Sequence, residues 1–321
     1  MSINESQAAI REAQRKDRIY KILKEPNSVK RYIFRRYFKA FEALGIHVTA
    51  DHFYEPIPNL ADINKSWSDA RRPVRGIDFH QTQAEALAVR ILETYGPEFS
   101  AKSGKAGFSL SNPYYSGIDA LSLYCFVRDH KPNKVIEIGA GASTRLLLAA
   151  LHANAEETGV RPELISIDPF ARFTPEEEVN VTFSVLPEAL QAVQAKLAGE
   201  LGEGDLLFID STHVHKFGSD VETYFDTTFP ALPKGVMVHV HDIFTPYYYP
   251  KDWMTQHKRF WNEQFFLEAF LSFNDQFAVV LPMHLMMRES EQVRALARQH
   301  IPGDEARFFV GQSFFFHRKA G

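Results

Sequence analysis

Residues that can hold a ligand or move a proton recur at the ends of short apolar runs: Glu137, Asp168, Asp210, His213, His241 and Asp242. Carboxylates in such places accept hydrogen bonds from hydroxyl-rich ligands, hold cations or take protons, and an imidazole beside them serves as base or metal ligand. The first acid opens the segment Glu137-Ile138-Gly139-Ala140-Gly141-Ala142-Ser143-Thr144. Its glycines allow a sharp turn and the close approach of a ligand to the backbone. Ser143 or Thr144 is placed to cap a following helix, whose free N–H groups would face the ligand. Thr144 stands where a dinucleotide fingerprint has its third glycine, and the carboxylate of Glu137 suits a cationic or hydroxyl-rich ligand better than a pyrophosphate. Asp168 lies 27 positions after Gly141. A carboxylate there typically binds ribose hydroxyls, though a turn Asp before Pro169 would look the same.

The elements that must position these residues follow from the apolar pattern. β-Branched runs at Val135–Ile138, Leu164–Ile167, Val181–Val185, Leu206–Ile209 and Val236–Val240 read as strands, each separated from the next by a helical stretch. Such alternation predicts an α/β fold, a doubly wound, mainly parallel sheet. Ligands then bind beyond the carboxyl ends of the strands, where Gly139, Asp168, Asp210 and His241-Asp242 fall. His239 shares the parity of His241 and reads as a hydrogen-bonded core residue. His213, nearer the strand end than His215, is the better base or ligand.

The Glu-x-Gly-x-Gly turn resembles motif I of the class I S-adenosylmethionine-dependent methyltransferases. Ile209-Asp210-Ser211-Thr212-His213, followed by Leu232-Pro233-Lys234-Gly235-Val236-Met237-Val238-His239-Val240-His241-Asp242-Ile243-Phe244, resembles the methyltransferase family 24 branch. The resemblance runs from about residue 112 to 242 in detail, and more loosely to the end. It implies a seven-stranded Rossmann-like methyltransferase sheet whose last strand is antiparallel. It implies S-adenosyl-L-methionine as cofactor, bound through Glu137, Gly139, Ala140, Gly141, Ser143, Thr144, Asp168 and Asp210. Catalysis would fall to His213, His241 and Asp242, acting on a hydroxyl of a sugar, glycan or natural product. In several relatives acids after strands four and five hold Mg²⁺; by position these match Asp210, His241 and Asp242. His241 departs from the carboxylate of those relatives, and a His-containing set suits Zn²⁺, Fe²⁺ or Mn²⁺ better than Mg²⁺. A metal-free site with a histidine base remains an alternative, as do an NAD-dependent oxidoreductase, a metal-dependent hydroxylase-like enzyme and a non-catalytic member of the fold that binds a glycan or partner.

Residues 1–111 are expected to form a helical, substrate-capping region, and residues 112–321 the cofactor-binding methyltransferase domain. Gly96-Pro97 is expected to end the helix before it. Tyr114 and Tyr115 are expected to form a lid over the cofactor, and the aromatics of the loop Tyr247-Tyr248-Tyr249 through Trp253 a lid that contacts a sugar or aromatic acceptor. Residues 11–39 carry eleven Lys/Arg against three acids, either solvated helix faces, a subunit contact or a patch for an anionic surface. The 321 residues are 45% hydrophobic and 24% charged with net charge −4, which does not mark a nucleic-acid binder. The single cysteine, Cys125, cannot form an internal disulfide and fits a reducing compartment. No apolar run approaches a membrane span and the N-terminus lacks a signal-peptide core, so a cytoplasmic enzyme, possible homo-oligomer included, is the expectation.

Overall fold

The computed structural model describes residues 33, 36–48, 55–102, 112, 114–171, 179–197, 199–303 and 305–319. The basic run 11–39 lies outside these apart from residues 33 and 36–39. Two compact units divide at Trp67/Ser68. Within the first, residues 36–42 are helical, and helix α1 (Leu60–Ser66) is capped by the Asn59 side chain, which accepts the Ala61 N–H at 2.7 Å.

The second unit holds a seven-stranded sheet. Helices α2 (Gln81–Lys102) and α3 (Gly117–His130) precede β1 (Lys134–Ile138). Then come α4 (Ala142–Thr158), β2 (Glu163–Ile167), β3 (Thr182–Leu186), α5 (Leu190–Leu197) and β4 (Leu206–Ile209). Helix α6 (Asp220–Thr223) runs into a π-helical turn, Tyr224–Thr228, before β5 (Met237–Val240). Helix α7 (Glu263–Leu271), β6 (Phe277–Pro282), α8 (Met283–Glu289), α9 (Glu291–His300) and β7 (Phe314–Arg318) complete the chain. The strand order is β3-β2-β1-β4-β5-β7-β6. β1 to β5 are parallel, and β7 runs antiparallel between β5 and β6. The expected Rossmann-like methyltransferase sheet is thus present. Its order reverses between β1 and β4, which opens a crevice at their carboxyl ends.

The central strands are buried on both faces, as their continuous Val, Ile and Leu content requires. Asp119 of α3 is buried, and its Oδ1 accepts the N–H groups of Gln312 (2.6 Å) and Ser313 (2.8 Å) and the Ser313 hydroxyl (2.8 Å). That one carboxylate fixes the entry to β7. Cys125 is buried and free.

The expected stop at Gly96-Pro97 does not occur: α2 runs on to Lys102 with Pro97 inside it. Tertiary contacts outweigh the lost N–H. Phe99 is buried, Glu98 pairs with Arg128 at 3.1 Å and accepts the Tyr124 hydroxyl at 2.6 Å. Gly96 is needed for a different reason than helix termination, since a Cβ there would lie 2.5 Å from the His300 ring. Among the described residues, no helix is long and apolar enough to cross a membrane.

Candidate active site

At the end of β1 the chain turns at Gly139, with φ of +90°. A Cβ there would sit 1.9 Å from the Asp210 carbonyl oxygen, so only glycine lets β1 and β4 end side by side. The Asp210 N–H donates to the Ile138 carbonyl at 3.0 Å and the Gly139 N–H to the Ile167 carbonyl at 2.9 Å, which joins the tips of three strands. Nothing lies within 4 Å of where a Gly141 Cβ would stand, so the backbone there faces open space.

Glu137 does not face that space. It is fully buried, and its two oxygens accept the hydroxyls of Ser143 (2.7 Å), Thr144 (2.8 Å) and Ser166. Thr144 Oγ1 in turn accepts the Gly141 N–H at 2.9 Å. Glu137, Ser143 and Thr144 therefore brace the turn from behind and set its shape. Burial pushes the Glu137 carboxyl up to about 7, against the lowering by its three hydroxyl partners. Asp168 takes the forward position. Its Oδ2 accepts the Ala140 N–H at 3.1 Å and its Oδ1 the Phe170 N–H at 2.7 Å.

A cleft of about 430 Å³ lies over these strand tips, walled by Ile138, Gly139, Asp168, Phe170, Asp210 and Ser211 among others. Its volume suits a nucleoside-sized ligand. The Ser211 hydroxyl oxygen is buried without a partner. Asp220, also on the wall, accepts the Thr212 N–H at 3.2 Å.

Beside the cleft, Asp210, His213 and Asp242 bring one carboxylate or imidazole atom each within 4.8 Å of one another. His213 Nε2 is 3.4 Å from Asp210 Oδ1 and 3.4 Å from Asp242 Oδ2. Its other nitrogen, Nδ1, donates to Glu263 Oε2 at 2.8 Å, and Glu263 Oε1 accepts the Tyr224 hydroxyl. His213 and Asp242 both have φ of +59°, a conformation that turns their side chains out of the strand continuation. The Trp261 ring lies 4.2 Å from the His213 ring. Burial draws the His213 imidazolium down, but hydrogen bonds to Asp210 and Glu263 and the charge of Asp242 leave it well above its ordinary range. Asp242 is raised by burial, despite the opposing charges of His241 and His213.

The structure rearranges the expected set. His213 stands in the three-residue group where His241 was expected. His241 is buried behind Asp242, its Nε2 3.7 Å from Asp242 Oδ1 and its ring 4.6 Å from that of Tyr115, and its Nδ1 has no partner. His239 is a core residue as expected, stacked on Phe208 at 4.5 Å. His215 stacks on Phe266 at 3.8 Å.

Neither expected lid is one. Tyr115 is buried with its hydroxyl 3.4 Å from His239 Nε2, while Tyr114 is exposed. In the loop after Asp242, Phe244, Tyr247 and Tyr249 are buried. The Gln264 side chain holds this loop by accepting the Phe244 N–H and donating to the Tyr247 carbonyl, both at 2.8 Å. Three rings bury more apolar area against α7 and α8 than they could while swinging free. Glu263 escaped notice in the sequence because an acid in the first turn of a helix reads as a solvated dipole partner. Its surroundings were the available signal: Trp261, Phe265, Phe266 and Leu267 leave that stretch little polar face.

Residues 136–243 match the family described as a methyltransferase domain, methyltransferase family 24. An uncharacterized protein of Archaeoglobus fulgidus is 27% identical over 129 residues, which cover 37% of this chain and 57% of that protein. This chain therefore spans little more than half the length of that relative. Similar solved structures include the methyltransferase MycE of the mycinamycin biosynthetic pathway, in complex with Mg, SAH and mycinamycin VI (14% identity, 70% of this chain and 54% of that one, TM-score 0.37). Another is CmcI without ligand (14% identity, 64% and 73%, TM-score 0.37). A third is the SAH-bound methyltransferase PaMTH1 of Podospora anserina (14% identity, 86% and 100%, TM-score 0.35). These likenesses are too loose to transfer residue roles. The family match spans β1 to the end of β5, the stretch that supplies the glycine turn, Asp168 and the Asp210–His213–Asp242 group, and residues 136–243 are accordingly a class I methyltransferase domain of the family 24 type.

Proposed function

We propose that the protein is an S-adenosylmethionine-dependent O-methyltransferase acting on a hydroxyl of a small-molecule or glycan acceptor. The observation that carries this reading is the shared edge between the cleft and the Asp210–His213–Asp242 group: Asp210 belongs to both. A methyl donor and an acceptor hydroxyl bound there would be neighbours, as an in-line displacement requires.

The residues present fit the donor. The cleft has the right size, the Gly139 turn in its wall and an unpartnered buried hydroxyl at Ser211. Among the described residues, its wall carries Asp168, Asp210 and Asp220 against Lys216. That balance favours a sulfonium cation and disfavours a pyrophosphate, which speaks against a nicotinamide dinucleotide. When bound, S-adenosylmethionine supplies an electrophilic methyl group.

The chain's own contribution is to bind, orient and deprotonate. Asp168, already anchored by two backbone N–H groups, has lone pairs left for ribose hydroxyls. Asp210, His213 and Asp242 surround the place where an acceptor hydroxyl would enter, and would take its proton once the imidazolium of His213 has given up the proton on Nε2. Glu263 holds the His213 proton on Nδ1 and so leaves Nε2 directed at that place. His241 supports Asp242 from behind. Trp261 and the buried aromatic loop keep water from one side.

The experiment is methyl transfer from radiolabelled S-adenosylmethionine to a panel of sugars, macrolides and phenols. Label is expected in a hydroxyl-bearing acceptor and absent with His213→Ala. Label arriving only on amines or thiols would overturn the O-methyl reading.

A further inference from the structure

Arg72, Arg128 and Arg288 each lie over a tyrosine ring, and each also pairs with a carboxylate, that of Glu268, Glu98 and Asp69 respectively. Arg259 differs. Its guanidinium carbon stands 5.0 Å from the ring centre of Trp253 and 5.1 Å from that of Trp261, and among the described residues no carboxylate pairs with it. The side chain is exposed. Two indoles hold the cation in place without neutralising it, so its planar N–H fork keeps its capacity for an oxyanion.

Both indoles are tied to the reacting group. The Trp261 ring lies 4.2 Å from that of His213, and the next residue, Asn262, donates its N–H to the His213 carbonyl at 3.2 Å. Trp253 packs edge-on against Phe244, two residues after Asp242, with centres 5.2 Å apart. The indoles meet nearly at right angles, 5.1 Å apart. The Arg259 N–H closes this segment on the Trp253 carbonyl at 2.8 Å. The guanidinium is therefore fixed one ring away from His213, a span that a monosaccharide or a small hydroxy acid covers.

We propose that Arg259 is the specificity-determining residue for the acceptor, and that the acceptor carries an oxyanion, a carboxylate or phosphate, about one sugar ring from the hydroxyl that receives the methyl group. This names the acceptor class of the methyltransferase reading and rests on that reading. Asp210 and Asp242 at the reacting end disfavour an anion beside them, and Arg259 at the other end attracts it. A ligand with a hydroxyl at one end and an anion at the other is thereby turned with its hydroxyl toward His213, the orientation that transfer needs. Trp253 and Trp261 are half-buried and keep ring surface on which the body of such a ligand packs. An arginine that only packed between two indoles would be indifferent to the charge of a ligand.

The test is titration of the full chain, with and without S-adenosylhomocysteine, by matched charged and neutral compounds: glucuronic acid against its methyl ester, quinic acid against its methyl ester, and ribose phosphate against ribose. Tryptophan emission reports binding, because Trp253 and Trp261 are two of the chain's three tryptophans. A charged member should bind about tenfold more tightly than its neutral partner, the worth of one hydrogen bond to a charged group. The acid and phosphate pairs tell the two anions apart. Arg259→Gln should erase the preference, and Arg259→Lys, which keeps the charge without the fork, should restore it in part. No preference in any pair overturns the proposal, as does a preference that Arg259→Gln leaves intact. S-adenosylmethionine is titrated in parallel. Its binding without any charge preference refutes the anion site and spares the methyltransferase. A preference that depends on Arg259, in a chain that does not bind S-adenosylmethionine, keeps the anion site and removes the methyltransferase reading beneath it.

Discussion

Replacing Glu137 by Gln tests how the cofactor turn is built. The carboxyl is buried with its oxygens engaged by Ser143, Thr144 and Ser166, and burial raises it from 4.5 to about 7. A raised carboxyl means that the folded chain binds more protons than the unfolded chain between those two values. Stability contributed by this group is therefore full below about pH 4.5 and falls as pH rises through 7. The shift corresponds to about 3 kcal/mol, at 1.36 kcal/mol per unit. Gln cannot titrate, and it carries a constant cost for the acceptor it lacks, about 1–3 kcal/mol. Urea unfolding of both proteins from pH 4.5 to 8.5 separates the two effects. The stability difference should shift by about 3 kcal/mol across the range, with the variant gaining on the parent as pH rises. Parallel curves, differing by a fixed offset, would refute the account of Glu137 as a carboxylate held in the core at the expense of its charge.

Other outcomes follow from the same geometry. Gly139→Ala forces a Cβ to 1.9 Å from the Asp210 carbonyl at φ of +90°, and should cost about 3–5 kcal/mol or prevent folding, read by thermal unfolding. Asp119→Ala leaves the buried N–H groups of Gln312 and Ser313 without their acceptor and should destabilise by about 2–5 kcal/mol in denaturant titration. His241→Ala should abolish methyl transfer while sparing cofactor affinity, because the ring supports Asp242 and stands away from the cleft wall; undiminished turnover would remove it from the site.

The sheet was legible because its strands are short, β-branched and separated by helical stretches, and the strand-end acids fall where a parallel sheet puts its ligands. Side-chain direction was not legible. Glu137 and Asp168 look alike in the sequence as strand-end acids, yet one is buried under the turn and the other lines the cleft. The exchange of His241 for His213 has a similar origin. Parity along β5 was read as though the strand ran straight, but the chain leaves it at Asp242 with φ of +59°. Glu263 enters from a helix 50 positions after His213, a distance across which no local pattern reports. The aromatic loop misled because a run of tyrosines says nothing of whether their hydroxyls find partners such as Glu289 or the Gln264 N–H.

The central claim is that the cleft over Gly139 and Asp168 takes an adenosyl sulfonium. Calorimetric titration of the purified chain with S-adenosylmethionine, beside NAD as a control, addresses it directly. One-site binding of S-adenosylmethionine, weakened at least tenfold by Asp168→Ala and not reproduced by NAD, is the predicted result. No heat of binding from a chain that unfolds cooperatively, or tighter binding of NAD, would contradict it.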